Sequence, residues 1–347
     1  VTERALPDDT ARAMFRPLDD GTEPFADLAP GADRLPRRQA GASPQNLITL
    51  LLADFGLLHH TWCPSAAIVA LLAEFDVPAA SARTALSRLA RRDVVESAKQ
   101  GRRTAYRLTA SAALGLAVGG RRVASFASDA ESWDGHWTLL CFSFPRDRDT
   151  DRRSLRHRLR WIGYAPLYDG LWICPRNNLR EVATVLAELD VPALTLFRAR
   201  HVEFQHLAHR NPVDAWDLAG IAQAYQEFLH RWQPVHDRLR SGSISGVQAL
   251  TARIDVINDY RHFTALDPTL PMAQLPQNWP RNRARRLTQE LYDGLGPPAL
   301  SHLLATIARV APGEDPQLCP HTFDQLQAGI PVRGTTPGQP PTGCPQG

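Results

Sequence analysis

The side chains best placed to do chemistry in this chain are arginines. Residues 83 to 107 carry eight basic groups (Arg83, Arg88, Arg91, Arg92, Lys99, Arg102, Arg103 and Arg107) against two acidic ones, Asp93 and Glu96. The whole chain of 347 residues has a formal charge of only +3, so its positive charge is local and the remainder is mildly acidic. Such a cluster has the footprint of a patch that meets phosphates. Arg83, Thr84, Ser87 and Arg88 carry donors that suit base edges, since a guanidinium bonds guanine through two N–H groups and a hydroxyl serves several bases. Arg91 extends the same side. Lys99, Arg102 and Arg103 suit phosphate oxygens, and Tyr106 joins them on the returning strand. The plainer alternative is a solvated helix face in which Arg88 or Arg91 pairs with Glu96 or Asp93. That alternative leaves unexplained a second basic cluster at a glycine turn directly after the first.

Other chemistries are poorly served. Lys99 is the single lysine, so a P-loop lysine or a Schiff-base lysine would have to be this residue in a polar, arginine-rich stretch. Neither a Gly-x-Ser-x-Gly elbow nor a glycine-rich phosphate loop is present. Asp147, Asp149 and Asp151 could gather a divalent cation for nuclease chemistry. They alternate with Arg146, Arg148, Arg152 and Arg153, which reads better as a mixed-charge loop and helix start. His201, His206 and His209 are five and three residues apart, which fits neither an i, i+4 pair nor a His-Glu-x-x-His motif. The five cysteines include no Cys-x-x-Cys pair, so neither a disulfide framework nor a zinc ribbon is expected. No catalytic residue, metal or cofactor is assigned, and the expectation is a protein that is not an enzyme.

The elements that position the basic side chains follow from periodicity. Apolar spacing predicts helices over 46–58, 65–75 and about 79–91, the last exposing Arg83, Ser87, Arg88, Arg91 and Arg92. Strands over 94–97 and 104–108 flank a polar turn at 98–102, and Thr109 caps a further helix. Three helices followed by a basic hairpin is the order of a winged helix-turn-helix, whose third helix enters the major groove of double-stranded DNA. From Trp133 to Phe204 the order β-α-β-β-α-β fits a ferredoxin-like domain, with its first helix expected at 154–162. Helices return at 217–239, 246–264 and 283–309, and prolines at 268, 271 and 276 make 267–279 a loop.

The expected fold is therefore α+β and multidomain. A winged helix-turn-helix domain spans 46–125, a ferredoxin-like middle domain 130–210 and a helical C-terminal domain 211–310. Residues 1–45 and 311–347 hold half of the 28 prolines and read as disordered tails. No leader or apolar run suggests a membrane, so a cytoplasmic location is expected.

Ser81-Ala-Arg-Thr-Ala-Leu-Ser-Arg-Leu89 and Gly101-Arg-Arg-Thr-Ala-Tyr-Arg-Leu-Thr109 resemble the recognition helix and the wing of a known family, the PaaX-type transcriptional repressors of aromatic-acid catabolism. Trp137 to Pro145, the Arg156 to Gly163 helix, Gly170-Leu-Trp-Ile-Cys-Pro175 and Asp267-Pro-Thr-Leu-Pro271, followed by Leu275-Pro276 and Trp279-Pro280, resemble its later signatures in the same order. The resemblance runs from about residue 46 to 300.

It implies a homodimeric repressor with a Cas2-like middle domain, released from its operator by an aromatic acyl-CoA such as phenylacetyl-CoA. A nuclease built on the Cas2-like domain and a ligand-independent DNA-binding scaffold are the alternatives. The family's effector region commonly shows His-Glu-Tyr-Arg; here Asn258, Asp259, Tyr260 and Arg261 stand in its place. Arg281 also replaces the glycine that usually follows Trp-Pro. Both departures bear on the identity of the ligand. Asp259, Arg261, His262 and Trp279 are the candidate effector residues, arginine serving CoA phosphates and aromatic rings the acyl group. The competing reading is structural, with Asp259 and Arg261 paired and Trp279 filling the core.

Overall fold

The computed structural model describes residues 43–101, 103–128, 133–145, 147–187, 189, 191, 193–202 and 210–332. The chain forms two compact units. The first combines residues through 124 with 238–255 and those from 291 onward, and the second combines 125–237 with 256–290.

In the first unit, α1 (Pro44–Gly56) starts with Ser43 accepting from the Asn46 amide at 3.2 Å and with proline at its first position. It buries Leu47, Ile48, Leu51, Leu52 and Phe55. A short β1 (Cys63–Pro64) leads into α2 (Ser65–Ala73) and α3 (Ala79–Arg91), then β2 (Val95–Gln100) and β3 (Arg103–Leu108). The strands lie in the order β1-β3-β2, both pairs antiparallel. Asp93 turns the chain from α3 into β2: its φ of 57° lies in the left-handed region that Asp tolerates. The amides of Asp93 and Val94 there return to the carbonyls of Ala90 and Leu89. The following helix, α4 (Ala110–Ser125), has its expected cap, with Thr109 accepting from the Ala112 amide at 3.3 Å.

Two expectations for this unit change. The hairpin turn is tighter than 98–102, because Lys99 pairs with Thr104 and Gln100 with Arg103; Gly101, at φ 59°, begins the turn. The stretch from 311 to 332 is also no disordered tail. It contains α11 (Phe323–Ala328), opened by a Thr322/Gln325 capping box, and buries Phe323, Leu326, Ile330 and Val332. Leu326 packs so close to α4 that a Cβ on Gly120 would meet it at 2.7 Å. Proline density reports backbone stiffness, and here the prolines are interleaved with apolar anchors that the count ignores. The expectation for residues 1–42 and 333–347 lies outside the described residues.

The second unit is built on β4 (Trp137–Ser143), α5 (Asp149–Trp161), β5 (Ala165–Tyr168), β6 (Leu171–Cys174), α6 (Leu179–Ala187) and β7 (Ala193–Ala199). Sheet order β5-β6-β4-β7, antiparallel throughout, is the split β-α-β arrangement that the element order predicts. α5 begins five residues before the expected start, since Asp149 and Asp151 favour the positive end of the helix dipole. Alternation along β4 sends Leu140 and Phe142 to one core with Leu155, Leu159, Trp172 and Val182. Trp137 and Leu139 go to a second core with Ile173, Val213 and Leu270.

The remaining helices are α7 (Leu218–Arg240), α8 (Gly246–Tyr260), a single turn α9 (Phe263–Leu266) and α10 (Arg281–Val310). Residues of α7, α8 and α10 contribute to both units. The predicted 246–264 helix ends at Tyr260, and 267–279 is a loop with one 3-10 turn at Met272–Gln274. Among the described residues no helix is long and apolar enough to cross a membrane.

Candidate nucleic-acid interface

The α3 helix separates two faces. Ala82, Ala85, Leu86 and Leu89 are buried, while Arg83, Thr84, Ser87, Arg88 and Arg91 are all exposed; Arg92, expected on the same exposed face, is half-buried at the helix end. The i, i+4 spacing of 83 to 87, 84 to 88 and 87 to 91 stacks these side chains on one side of the helix. The Thr84 hydroxyl donates to the Ala80 carbonyl at 2.9 Å, which fixes its rotamer and leaves its lone pairs outward.

On the hairpin, Lys99 and Arg103 are exposed and Tyr106 is half-buried, paired across the sheet with Cys63 and Ser97. Arg103 meets Glu314 at 3.2 Å. Arg102 lies outside the described residues. Arg107 belongs to the scaffold: it bonds Glu96 at 2.7 Å and lies 4.3 Å from the Trp62 ring centroid. The Glu96 carboxylate is thus bonded by Arg107, in place of the Arg88 or Arg91 pairing considered from sequence.

The candidate effector residues lie in the second unit, around an aromatic cluster. Tyr225 stacks on Phe263 with ring centroids 4.0 Å apart, and Phe228, Tyr260 and Trp279 close around them. Trp279 is buried, its indole Nε1 without a hydrogen-bond partner among the described residues. Asp259 accepts from the Trp232 indole at 3.0 Å and pairs with Arg231 at 3.1 Å. Arg261 and His262 are half-buried, and the His262 ring nitrogen Nδ1 lies 2.9 Å from the Asn258 carbonyl. Asp259 and Trp279 thus have places in the scaffold, and Arg261 and His262 keep accessible surface.

Arg281, notable in sequence only as a departure, is the buried centre of this region. It bonds both oxygens of Asp267 at 2.8 Å and the Leu270 carbonyl at 2.8 Å, while the Tyr225 hydroxyl reaches Asp267 at 2.7 Å. Burial opposes the Arg281 charge, but the Asp267 carboxylate outweighs it and raises the pKa. Burial, with Asp267 adding to it, pushes the Tyr225 hydroxyl well above its ordinary range.

A second buried network in the first unit escaped sequence reading altogether. Arg253 grips Asp54 at 2.7 and 3.0 Å, donates to the His321 carbonyl at 2.7 Å and also bonds the Tyr292 carbonyl. The Tyr292 hydroxyl bonds Asp54 and lies 2.8 Å from the His321 ring. Burial pushes the Asp54 carboxyl upward, yet the Arg253 and His321 charges prevail and its pKa falls. No periodic signal could have found these pairs, because their partners are 199 and 238 residues apart.

Asp149 pairs with Arg152 at 3.0 Å and Asp151 with Arg148 at 2.6 Å, as at a charged helix start. No three His, Cys, Asp or Glu side chains cluster as a metal site among the described residues; His206 and His209 lie outside them. Cys63 is a buried free thiol whose pKa burial pushes up to about 12, which makes it unreactive.

Three helices and a hairpin with outward arginines, joined to a split β-α-β unit and long helices, define a multidomain protein of mixed helix and antiparallel sheet with a basic head. The chain belongs to the PaaX family. The family profiles PaaX-like protein, PaaX protein central Cas2-like domain and PaaX-like protein C-terminal domain match residues 43–112, 130–210 and 216–305 in turn. The chain is 29% identical over 268 residues to the transcriptional repressor PaaX of Escherichia coli (strain K12), covering 75% of this chain and 82% of that one. A solved structure, the uncharacterized protein Rv0674 from Mycobacterium tuberculosis, is similar at 20% identity and a TM-score of 0.48, over 75% of this chain and 96% of the other.

Proposed function

We propose that this protein is a DNA-binding transcriptional repressor whose residues 43–125 act as a winged helix-turn-helix. The carrying observation is the outward face of α3, with Arg83, Thr84, Ser87, Arg88 and Arg91 all exposed beside a hairpin bearing Lys99 and Arg103. In this reading α3 enters the major groove and reads base edges, while the hairpin lies on the phosphate backbone. The PaaX relative supports the repressor role. The protein acts as a homodimer, released from its operator by an aromatic acyl-CoA that engages Arg261 and His262 beside the Trp279 cluster.

Two titrations test this. Replacing Arg102 and Arg103 by alanine weakens binding to operator and random duplex alike, and lowers the slope of log affinity against log salt by about two, at roughly 0.9 per phosphate contact. Unchanged binding across a salt series removes the hairpin from the interface. A panel of CoA thioesters added to the protein on the DNA upstream of its own reading frame releases it for one aromatic member. Retention across the whole panel refutes the effector role.

A further inference from the structure

The contact between Arg103 and Glu314 joins the hairpin to a segment far along the chain. Residues 311–319 follow α10 and lie against the head of the same unit. They are tied there by the backbone: the Thr61 hydroxyl donates to the Gln317 carbonyl at 2.7 Å, and the Cys319 amide donates to the Phe55 carbonyl at 2.9 Å. Leu318 sits 4.0 Å from where a Cβ on Gly56 would lie. Beyond Cys319 the buried His321 and Phe323 anchor the strap. Glu314 is therefore delivered to the hairpin by a fixed backbone, with the exposed Asp315 beside it. Its carboxylate takes the Arg103 Nη1 donor at 3.2 Å, although the arginine side chain remains 60% exposed.

We infer that this strap is an intramolecular competitor for nucleic acid, in which Glu314 occupies the Arg103 donor that a DNA phosphate would otherwise take. The inference rests on the proposed DNA-binding role of the hairpin. A carboxylate and a phosphate oxygen present the same acceptor to a guanidinium, so binding at Arg103 must break the internal pair. An exposed pair is weak and salt-screened, which makes Glu314 a modest attenuator of affinity. Removing its charge raises affinity at low salt by about two- to fivefold, the range of exposed ion pairs. It also steepens the salt dependence, because the internal pair that opposes binding in the wild type is itself screened as salt rises.

Fluorescence anisotropy of a labelled mixed-sequence duplex, with the full chain at several salt concentrations, reads both quantities. Four proteins are compared: wild type, Glu314→Gln, Arg103→Gln and the double variant. The expected result is tighter binding by Glu314→Gln at low salt, converging with wild type as salt rises, and little gain from the same change in the Arg103→Gln background. Equal or weaker binding by Glu314→Gln overturns the inference, and so does an undiminished gain in the Arg103→Gln background, which reports general charge. Wild-type protein that binds no duplex at any salt overturns the DNA-binding reading and this inference with it. Superimposable circular dichroism and thermal melts confirm that the exposed substitutions leave the fold intact.

Discussion

Replacing Arg253 by methionine tests whether the buried network holds the first unit together. Arg253 is 1% exposed and joins four partners: Asp54 on α1, the Tyr292 carbonyl on α10, the His321 carbonyl, and the Tyr292 ring, 3.8 Å away. Methionine keeps much of the volume but leaves the Asp54 carboxylate buried without its cation. Breaking one side of a buried ion pair costs about 3–5 kcal/mol. Replacing both members, Asp54→Leu with Arg253→Met, costs clearly less than the two single changes combined, because no buried charge remains. Urea unfolding followed by circular dichroism gives the energies. Hydrogen exchange of α1 and α10 amides shows whether the loss is confined to this unit, as two units need not unfold together. The sign with pH is also fixed. Without Arg253, burial raises the Asp54 pKa above its unfolded value, so the variant loses stability as pH rises through that range and regains part of it in acid. A single substitution costing less than about 1 kcal/mol, or a double variant costing the full sum, refutes the reasoning.

Further outcomes follow from other residues. Burial lowers the His321 pKa to about 4 from an ordinary 6.5, so folding favours the neutral ring. Stability is then full above pH 6.5 and is lost as pH falls towards 4, by at most about 3 kcal/mol. His321→Gln flattens that window, and wild-type melting temperatures that do not change across it contradict the assignment. Arg281→Met leaves Asp267 buried and unpaired, costs about 3–5 kcal/mol and raises hydrogen exchange in the 267–279 loop; unaltered exchange argues against its role as the loop's anchor. Gly120→Val places a methyl-bearing carbon against Leu326, costs about 1–3 kcal/mol by overpacking and exposes 320–332 to proteolysis; wild-type resistance counts against that packing. Arg83→Ala relaxes base preference at one operator position by about 1–3 kcal/mol, and an unchanged footprint removes it from base contact.

Much of the fold was legible because its signals are local. The α3 helix was readable from the spacing of Ala85, Leu86 and Leu89, and the same spacing put Arg83, Ser87 and Arg88 on the opposite face. The β-α-β-β-α-β order was readable from short apolar runs, although the start of α5 depended on dipole preferences that periodicity does not report. The 311–332 segment was misread because its burial depends on a surface made elsewhere in the chain, including the gap at Gly120.

By itself the sequence determined where the positive charge lies, which helix face is polar and the order of the elements, since charge, 3.6-residue periodicity and turn chemistry act over a few neighbours. Tertiary structure alone decided which charges are free and which are spent. Arg107 went to Glu96, Arg281 to Asp267, Arg253 to Asp54 and Arg103 to Glu314. The buried partners are fixed by the requirement that a desolvated guanidinium find a carboxylate, and the chain supplies that carboxylate wherever folding brings one near, at any sequence distance.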